Sequence, residues 1–249
     1  MSEKAGRWFV SLQCEQEIPD PVGESKPNCG VDLGIKTLAT VSDGMTFDNP
    51  RALKKSLVKI KRLQRIVSRR TQGSANRQKA VYRLAKAHQR VANIRKNALH
   101  QVTTYLAKTK SEIVLEELNV SGILKNHRLA MAISDVGLYE FKRQILYKST
   151  WYGSKVRLAP RFYPSSKKCS RCGQVKTELS LGERSYYCKS CGLVLDRDLN
   201  AAINLAHLIQ TTDSSSECNA CGEVVRPLSE MAVLYEAGTE PQSALCRFV

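Results

Sequence analysis

Residues 164–205, PSSKKCSRCGQVKTELSLGERSYYCKSCGLVLDRDLNAAINL, decide how the chain is read. They carry two Cys-x-x-Cys pairs, Cys169/Cys172 and Cys188/Cys191, with 15 residues between the pairs. Tetrahedral zinc takes four thiolates, and one such turn presents two sulfurs to an ion at about 2.3 Å. Gly173 and Gly192 each follow a pair, where a residue that tolerates positive φ lets the turn close. Four cysteines leave no open coordination position, so the expected ion is a structural zinc. A redox dithiol would need only one of the pairs. Directly after the cysteines, Asp196-Arg197-Asp198 opens an Ala-rich segment of helical pattern. Carboxylates at a helix start that have work to do need partners from elsewhere in the chain.

Two segments offer those partners. Residues 29–35 (CGVDLGI) read as an apolar strand with one acid, Asp32, and residues 111–115 (SEIVL) read as another that ends at Glu116. An acid in a buried strand is costly unless it is paired or bound to a metal. Asp32 therefore has two readings, a metal ligand or the cap of a turn beside Gly34. Asp198 likewise has two, a ligand or the N-cap of the last helix. Three carboxylates, Asp32, Glu116 and Asp198, can converge at one edge of a sheet, with Asp196 as neighbour or substitute. Hard oxygen donors with open positions suit Mg²⁺ or Mn²⁺. Two such ions about 3.5–4 Å apart align a water and a leaving oxygen in phosphodiester cleavage.

Between these segments the pattern changes. Residues 37–42 alternate, Asp43-Gly44 signals a hairpin turn, and a return strand begins at Met45. Leu53, Leu57, Ile60, Leu63 and Val67 then form a helical stripe with Pro50 in its first turn. After a break at residues 71–74, Val81, Leu84, Val91, Ile94, Ala98, Val102 and Tyr105 mark one face of a longer helix, which makes a helical hairpin. Residues 49–111 contain 18 Lys/Arg and no Asp or Glu. A solvated face ordinarily mixes both signs, so this one-sided charge points to a nucleic-acid backbone. Arg62, Arg65, Arg69, Arg70, Arg77 and Lys79 around the turn are the densest cluster. Past a loop at Asn126-His127-Arg128, residues 138–147 read as an amphipathic helix and 155–158 as a short strand. This order of elements fits an α/β core built on a mixed sheet.

At 249 residues the chain can bury a sizeable core, and 42% hydrophobic with 25% charged residues is ordinary for a globular protein. The net charge of +16 is not, and it favours a polyanionic partner. No apolar run approaches the 18 residues of a membrane span and no leader pattern opens the chain, so the expectation is a soluble intracellular protein with no membrane partner. Nine cysteines in such a protein are expected to be reduced or to bind metal. Residues 211–249 hold six acids against two basic residues, and are expected to be a mobile acidic tail. A third pair in it, Cys218/Cys221, lacks two further ligands nearby and is not expected to build a site.

GVDLGIKTLAT, IVLEELNVSGIL, ISDVGLYEFKRQILYK, FYPSSKKCSRCG and DRDLNAAINL, occurring together and in this order, resemble the TnpB (OrfB) proteins of bacterial insertion sequences. That family consists of RNA-guided DNA nucleases related to the type V CRISPR effectors. The resemblance runs from about residue 30 to 208. It implies a RuvC-like, RNase H-type fold with a zinc ribbon inserted before its last helix. It also implies Asp32, Glu116 and Asp198 as catalytic acids, Cys169, Cys172, Cys188 and Cys191 as zinc ligands, and the basic hairpin as a nucleic-acid contact. DNA is the implied partner, with a guide RNA in full-length relatives, and a nucleoid-associated place in a prokaryotic cytoplasm follows. One departure is Asn97, where relatives often carry Asp.

The expected organisation is a remnant strand (residues 7–14, with no local partner) and linker over 1–28, then a nuclease core over 29–165 with its helical insertion at 50–110. A zinc ribbon over 166–195, the last core helix over 196–210 and the tail over 211–249 complete it. Full-length relatives have a substantial N-terminal region, of which the opening strand would be the last piece. A shortened, catalytically unproductive nucleic-acid-binding protein is the alternative reading.

Overall fold

The computed structural model describes residues 1–15, 26–180 and 182–212. The Cys218/Cys221 pair, most of the expected linker and nearly all of the expected tail lie outside the described residues.

The chain opens with β1 (Ser2–Lys4) and β2 (Arg7–Phe9), an antiparallel hairpin turned by Ala5 and Gly6, both at positive φ. The strand expected over residues 7–14 is thus corrected. It stops at Phe9, and it has a local partner in Ser2–Lys4, because Ala5-Gly6 makes a two-residue turn whose twist matches the strands.

Five strands form the main sheet: β3 (Cys29–Leu33), β4 (Thr37–Val41), β5 (Thr46–Asp48), β6 (Glu112–Glu116) and β7 (Lys155–Ala159), in the order β5-β4-β3-β6-β7. The β3–β4–β5 meander is antiparallel, while β6 runs parallel to both β3 and β7, so the sheet is mixed as expected. Asp43-Gly44 turns β4 into β5, with Gly44 at φ 90° and the Met45 N–H donating to Asp43 Oδ1.

A helical hairpin connects β5 to β6. Helix α1 (Ala52–Ser68) begins after Arg51 rather than at Pro50. Its N-terminus has no local side-chain cap; Asp135 caps it instead, accepting from the Leu53 and Lys54 N–H groups at 3.0 and 3.3 Å. Helix α2 (Ala75–Thr109) starts at Ser74, which accepts from the Arg77 N–H. The buried face of α2 is Ala80, Val91, Leu99, Val102, Leu106 and Ala107, whereas Val81 and Ile94 are exposed. The expected stripe holds at Leu84, Val91, Ala98, Val102 and Tyr105 and is corrected at Val81 and Ile94, because the long helix meets α1 in its first half and the sheet in its second.

The region between β6 and β7 is more helical than expected. Three helices fill it: α3 (Val120–Leu124), α4 (His127–Val136) and α5 (Leu138–Tyr152), with Asn119 capping α3 and the positive-φ Gly137 separating α4 from α5. One face of the sheet is covered by α2, α4 and α5, where Leu99, Val102, Ile133, Phe141 and Ile145 pack on Val31, Ile113 and Leu115. The other face belongs to α6 (Arg197–Thr212), whose Leu205 and Ile209 pack on Val114 and Ala159.

Before α6 comes the cysteine ribbon, with β8 (Ser185–Tyr187) paired antiparallel to β9 (Val194–Asp196). Its small core is Tyr186 between Cys169 and Cys188. β9 runs straight into α6, so the ribbon sits at the entrance to the last helix of the sheet domain.

Candidate active site and metal centre

The pleat of the sheet decides where the acids point. Along a strand, side chains alternate between faces. Val31 packs among the helices α2 and α5, so Gly30 and Asp32 face α6. Ile113 and Leu115 likewise face α2 and α5, while Val114 and Glu116 share the α6 face. β3 and β6 pair Val31 with Leu115, and Asp32 and Glu116 stand one residue further on each strand. Both therefore lie at the C-terminal end of parallel strands, the usual ligand edge of an open α/β sheet.

Helix α6 brings the third acid. It crosses β3 so closely that a Cβ on Gly30 would stand 2.1 Å from the Ala202 carbonyl oxygen and 2.4 Å from the Ala206 nitrogen. Glycine at 30 is what lets the helix lie there. The first turn of α6 then carries Asp198 to the strand ends. Asp32, Glu116 and Asp198 line one cleft of about 280 Å³, with Lys36, Arg184 and Arg197 at its rim. Burial, then the charges of Glu116 and Asp198, push the Asp32 carboxyl up to about 8. Oxygen donors of this kind could hold a hard divalent cation, which relieves repulsion between carboxylates.

Asp198 is not the cap of α6: Asp196 is, with its Oδ1 accepting from the Asp198 and Leu199 N–H groups at 2.9 and 3.1 Å. Asp198 instead faces Arg184 at 3.8 Å and Arg197 at 3.7 Å. Asp32 does not cap a turn at Gly34, and faces the cleft. Glu116 accepts a hydrogen bond from the Ser165 hydroxyl.

The cysteines build a separate centre. The Sγ atoms of Cys169, Cys172, Cys188 and Cys191 all lie within 4.8 Å of one another, and the Cys169–Cys191 and Cys172–Cys188 distances are both 3.6 Å. Sulfurs 2.3 Å from one tetrahedral ion would be about 3.8 Å apart, so the four thiols fit zinc. The two turns match: Cys169 and Cys188 N–H groups donate to Gln174 and Leu193 carbonyls at 2.8 Å each. Gly173 and Gly192, at φ 76° and 72°, close them as the sequence suggested. Burial and the nearby sulfurs push the Tyr186 phenol up to about 12, and its hydroxyl donates to the Lys167 carbonyl. Among the described residues, these cysteines are the group whose ligand atoms approach one another this closely.

Several residues that sequence reasoning missed tie the two centres together. Asn200 and Asn204, both buried on α6, reach into the start of the ribbon. Asn200 donates to the Lys168 carbonyl at 2.8 Å and accepts from the Ser170 N–H at 3.0 Å. Asn204 donates to the carbonyls of Ser165 and Lys168. Their i, i+4 spacing in DRDLNAAIN was the available signal, since two asparagines on one buried helical face need partners. Arg184, at the far side of the ribbon, had none.

The basic cluster stands elsewhere. Arg62, Arg65 and Arg69 are exposed at the end of α1, and Lys79 at the start of α2; Arg70 and Arg77 are half-buried, with Arg70 donating to the Asn76 carbonyl. The N-terminus of α1 is near the acids, since Arg51 and Lys54 share a second cavity with Lys36 and Arg184. At 1.5 Å per residue, Arg62 to Arg69 lie roughly 15–25 Å along α1 from its start.

An α/β sheet with carboxylates at its strand ends, entered through a four-cysteine ribbon, is the class of protein that the geometry defines. Comparison with known sequences is specific: a family model described as "Probable transposase" (OrfB_IS605) matches residues 11–127, and one described as "Cas12f1-like, TNB domain" matches residues 139–205. A protein of Streptomyces pristinaespiralis named "Putative RNA-guided DNA endonuclease" is 38% identical over 97% of this chain and 59% of its own length. One of Escherichia coli K12, "Putative RNA-guided DNA endonuclease InsQ", is 35% identical over 92% of this chain and 60% of its own. The fold is similar to that in "Cryo-EM structure of the Cas12f1-sgRNA-target DNA complex", with TM-score 0.51 and 17% identity over 77% of this chain and 51% of that one. The chain belongs to the TnpB (OrfB) family, and spans about 60% of the length of the two relatives named.

Proposed function

We propose that this chain is a metal-dependent DNA endonuclease with a RuvC-like, RNase H-type core, hydrolysing phosphodiesters at a two-metal Asp/Glu/Asp site. The observation that carries the reading is the single cleft lined by Asp32, Glu116 and Asp198 at the C-terminal ends of β3 and β6. In it Asp32, Glu116 and Asp198 would hold Mg²⁺ or Mn²⁺, which would lower the pKa of water and neutralise charge at phosphorus. Arg184, Arg197 and Lys36 face the negative phosphate from the rim. A water oxygen joins phosphorus, the P–O bond to the leaving strand breaks, and the leaving oxygen takes up a proton. Cys169, Cys172, Cys188 and Cys191 would hold a structural zinc that would keep Arg184 and the start of α6 in position.

The partners follow from relatives named as RNA-guided DNA endonucleases: DNA as substrate, and a guide RNA in the full-length proteins. The exposed cations at the hairpin tip suit a nucleic-acid backbone. No helix among the described residues is long and apolar enough to cross a membrane.

A nucleic-acid-binding protein without productive catalysis is the second reading, favoured by the local partners of the acids, Ser165 for Glu116 and two arginines for Asp198. One experiment separates them. The purified chain with Mn²⁺ or Mg²⁺ nicks single-stranded DNA, and Asp32→Ala abolishes the nicking. Equal activity in the two proteins marks a contaminant or another site and overturns the proposal, and no activity in either leaves the binding reading in its place.

A further inference from the structure

Glu116 has a second neighbourhood. With Leu33 it also lines one end of a larger groove, of about 600 Å³, running between the turn after β6 and the exposed side of α5. That volume is on the order of one or two nucleotides, within the range of about 300–1,000 Å³ for small-ligand sites. The floor is apolar, from Leu118, Leu146 and Leu158. Tyr139 and Lys142 stand on its wall three residues apart on α5, one turn from Leu146, and Arg161 follows β7. Residues so spaced share a helix face.

Tyr139 and Arg161 are exposed and stand outside the buried core. Tyr139 is 73% exposed, on the first turn of a helix whose core contacts come from Phe141 and Ile145. Arg161 is exposed, its guanidinium stacked at 5.7 Å on Phe162, which is itself 90% exposed. Arg143, also on the wall, is held by Glu140 at 2.7 and 2.8 Å, which leaves Lys142 and Arg161 as the cations for a ligand, with Glu116 and Glu117 lining the same groove. An exposed ring, two cations and an apolar floor are what unpaired bases on a phosphate backbone require: stacking for the base, charge for the phosphate. A duplex hides its base faces and is too wide for a groove of this size.

We infer that this groove holds the single-stranded DNA segment next to the bond to be cut, with Tyr139 as the stacking platform and Lys142 and Arg161 as phosphate partners. The strand passes Glu116 into the acid cleft, so these three are positioning residues. The inference rests on the nuclease reading for its direction, but not for its binding chemistry.

The test uses the full zinc-loaded chain and a fluorescent oligothymidine of about 12 nucleotides, without Mg²⁺ or Mn²⁺, read by anisotropy. The triple variant Tyr139→Ala/Lys142→Ala/Arg161→Ala is expected to bind at least about tenfold more weakly, since base stacking alone is worth that much. Affinity for a blunt duplex is expected to stay within about twofold, and Tyr139→Phe to bind like wild type. Unchanged single-strand affinity in the triple variant overturns the groove. An equal loss for single strand and duplex overturns it too, because it marks a general effect of charge or folding. If wild type shows no cleavage while the triple variant still loses single-strand binding, the nuclease reading fails and the groove stands.

Discussion

Asp32 and Glu116 occupy matching positions on adjacent parallel strands, each one residue beyond the paired couple Val31–Leu115. Carboxylates so placed repel, and Asp32, half-buried, answers by holding its proton up to about 8. An unfolded Asp releases it near 3.9. Between these values the folded chain keeps a proton that the unfolded chain has lost, so stability falls as pH rises from about 4 to about 8 and is level above that. Without Mg²⁺ or Mn²⁺, Asp32→Asn removes this fall, and at pH 8 its Tm exceeds that of wild type by at least about 4 °C. Added Mn²⁺ raises the wild-type Tm at pH 8 and leaves the variant's unchanged. Thermal scans from pH 4 to 9 on zinc-loaded protein check both; superimposable profiles would show that Asp32 carries no such charge conflict.

Gly30 sets the distance between the acids. A methyl group there meets backbone atoms of Ala202 and Ala206, which cannot rotate away. Gly30→Ala therefore drives α6 off β3, and overpacking of this kind costs on the order of 3 kcal/mol. Asp198 moves with the helix, so the Mn²⁺ effect on Tm weakens as well. Denaturant titration with and without Mn²⁺ reads both losses, and a variant as stable as wild type would contradict the close crossing.

What was legible in the sequence was what is written locally. Both Cys-x-x-Cys turns carry their own glycines, Asp43-Gly44 announces its hairpin, and Asp32 and Glu116 each end an apolar run. Long-range pairings were not legible. The cap of α1 comes from Asp135, 82 residues away, where no local signal at Arg51 could announce it. The face of α2 was legible at Leu84, Val91, Ala98, Val102 and Tyr105 but not at Val81 and Ile94, because a helix of 35 residues serves two partners, α1 first and the sheet later. At the start of α6, Asp196 and Asp198 are chemically alike, and only the geometry assigns the cap to Asp196 and the cleft to Asp198.

Asp135 gives that cap a measurable value. Its two oxygens serve the first N–H groups of α1, and the residue is buried. Asp135→Ala is expected to cost about 1–2 kcal/mol, the usual loss for a helix cap, while Asp135→Asn keeps one acceptor and costs less. Urea unfolding ranks the three proteins. If Asn and Ala are equally destabilised, the carboxylate's charge rather than its acceptor geometry holds the helix start.

Zinc removal tests how far the ribbon supports the acids. The purified chain is expected to contain about one zinc, and Cys172→Ser to lose it, because a structural site of four thiolates tolerates no missing ligand. The ribbon is then held to α6 by the Asn200 and Asn204 hydrogen bonds and by the contacts of Arg197 and Asp198 with Ser180 and Arg184. Amide exchange is expected to quicken over residues 168–175 and 185–199, and not over β3 or β6. Protection retained at Asp198 and Leu199 would mean that Asp196 and the asparagines fix the helix start without metal.

The hairpin tip makes the sharpest separation between binding and chemistry. Arg62, Arg65 and Arg69 are exposed, and residues 49–111 offer them no carboxylate as an ion partner. Each that neutralises a duplex phosphate contributes about 0.9 to the slope of log affinity against log salt. Replacing all three with Ala is expected to lower that slope by up to about 2.7, to weaken duplex binding at low salt, and to leave zinc content and Tm unchanged. The tip residues lie roughly 15–25 Å along α1 from its start, so the pH profile of Tm that Asp32 sets is also expected to stay. A slope that does not move would show that the chain meets its polyanion on another face, and the grooves beside Lys36 and Lys142 would be the next to test.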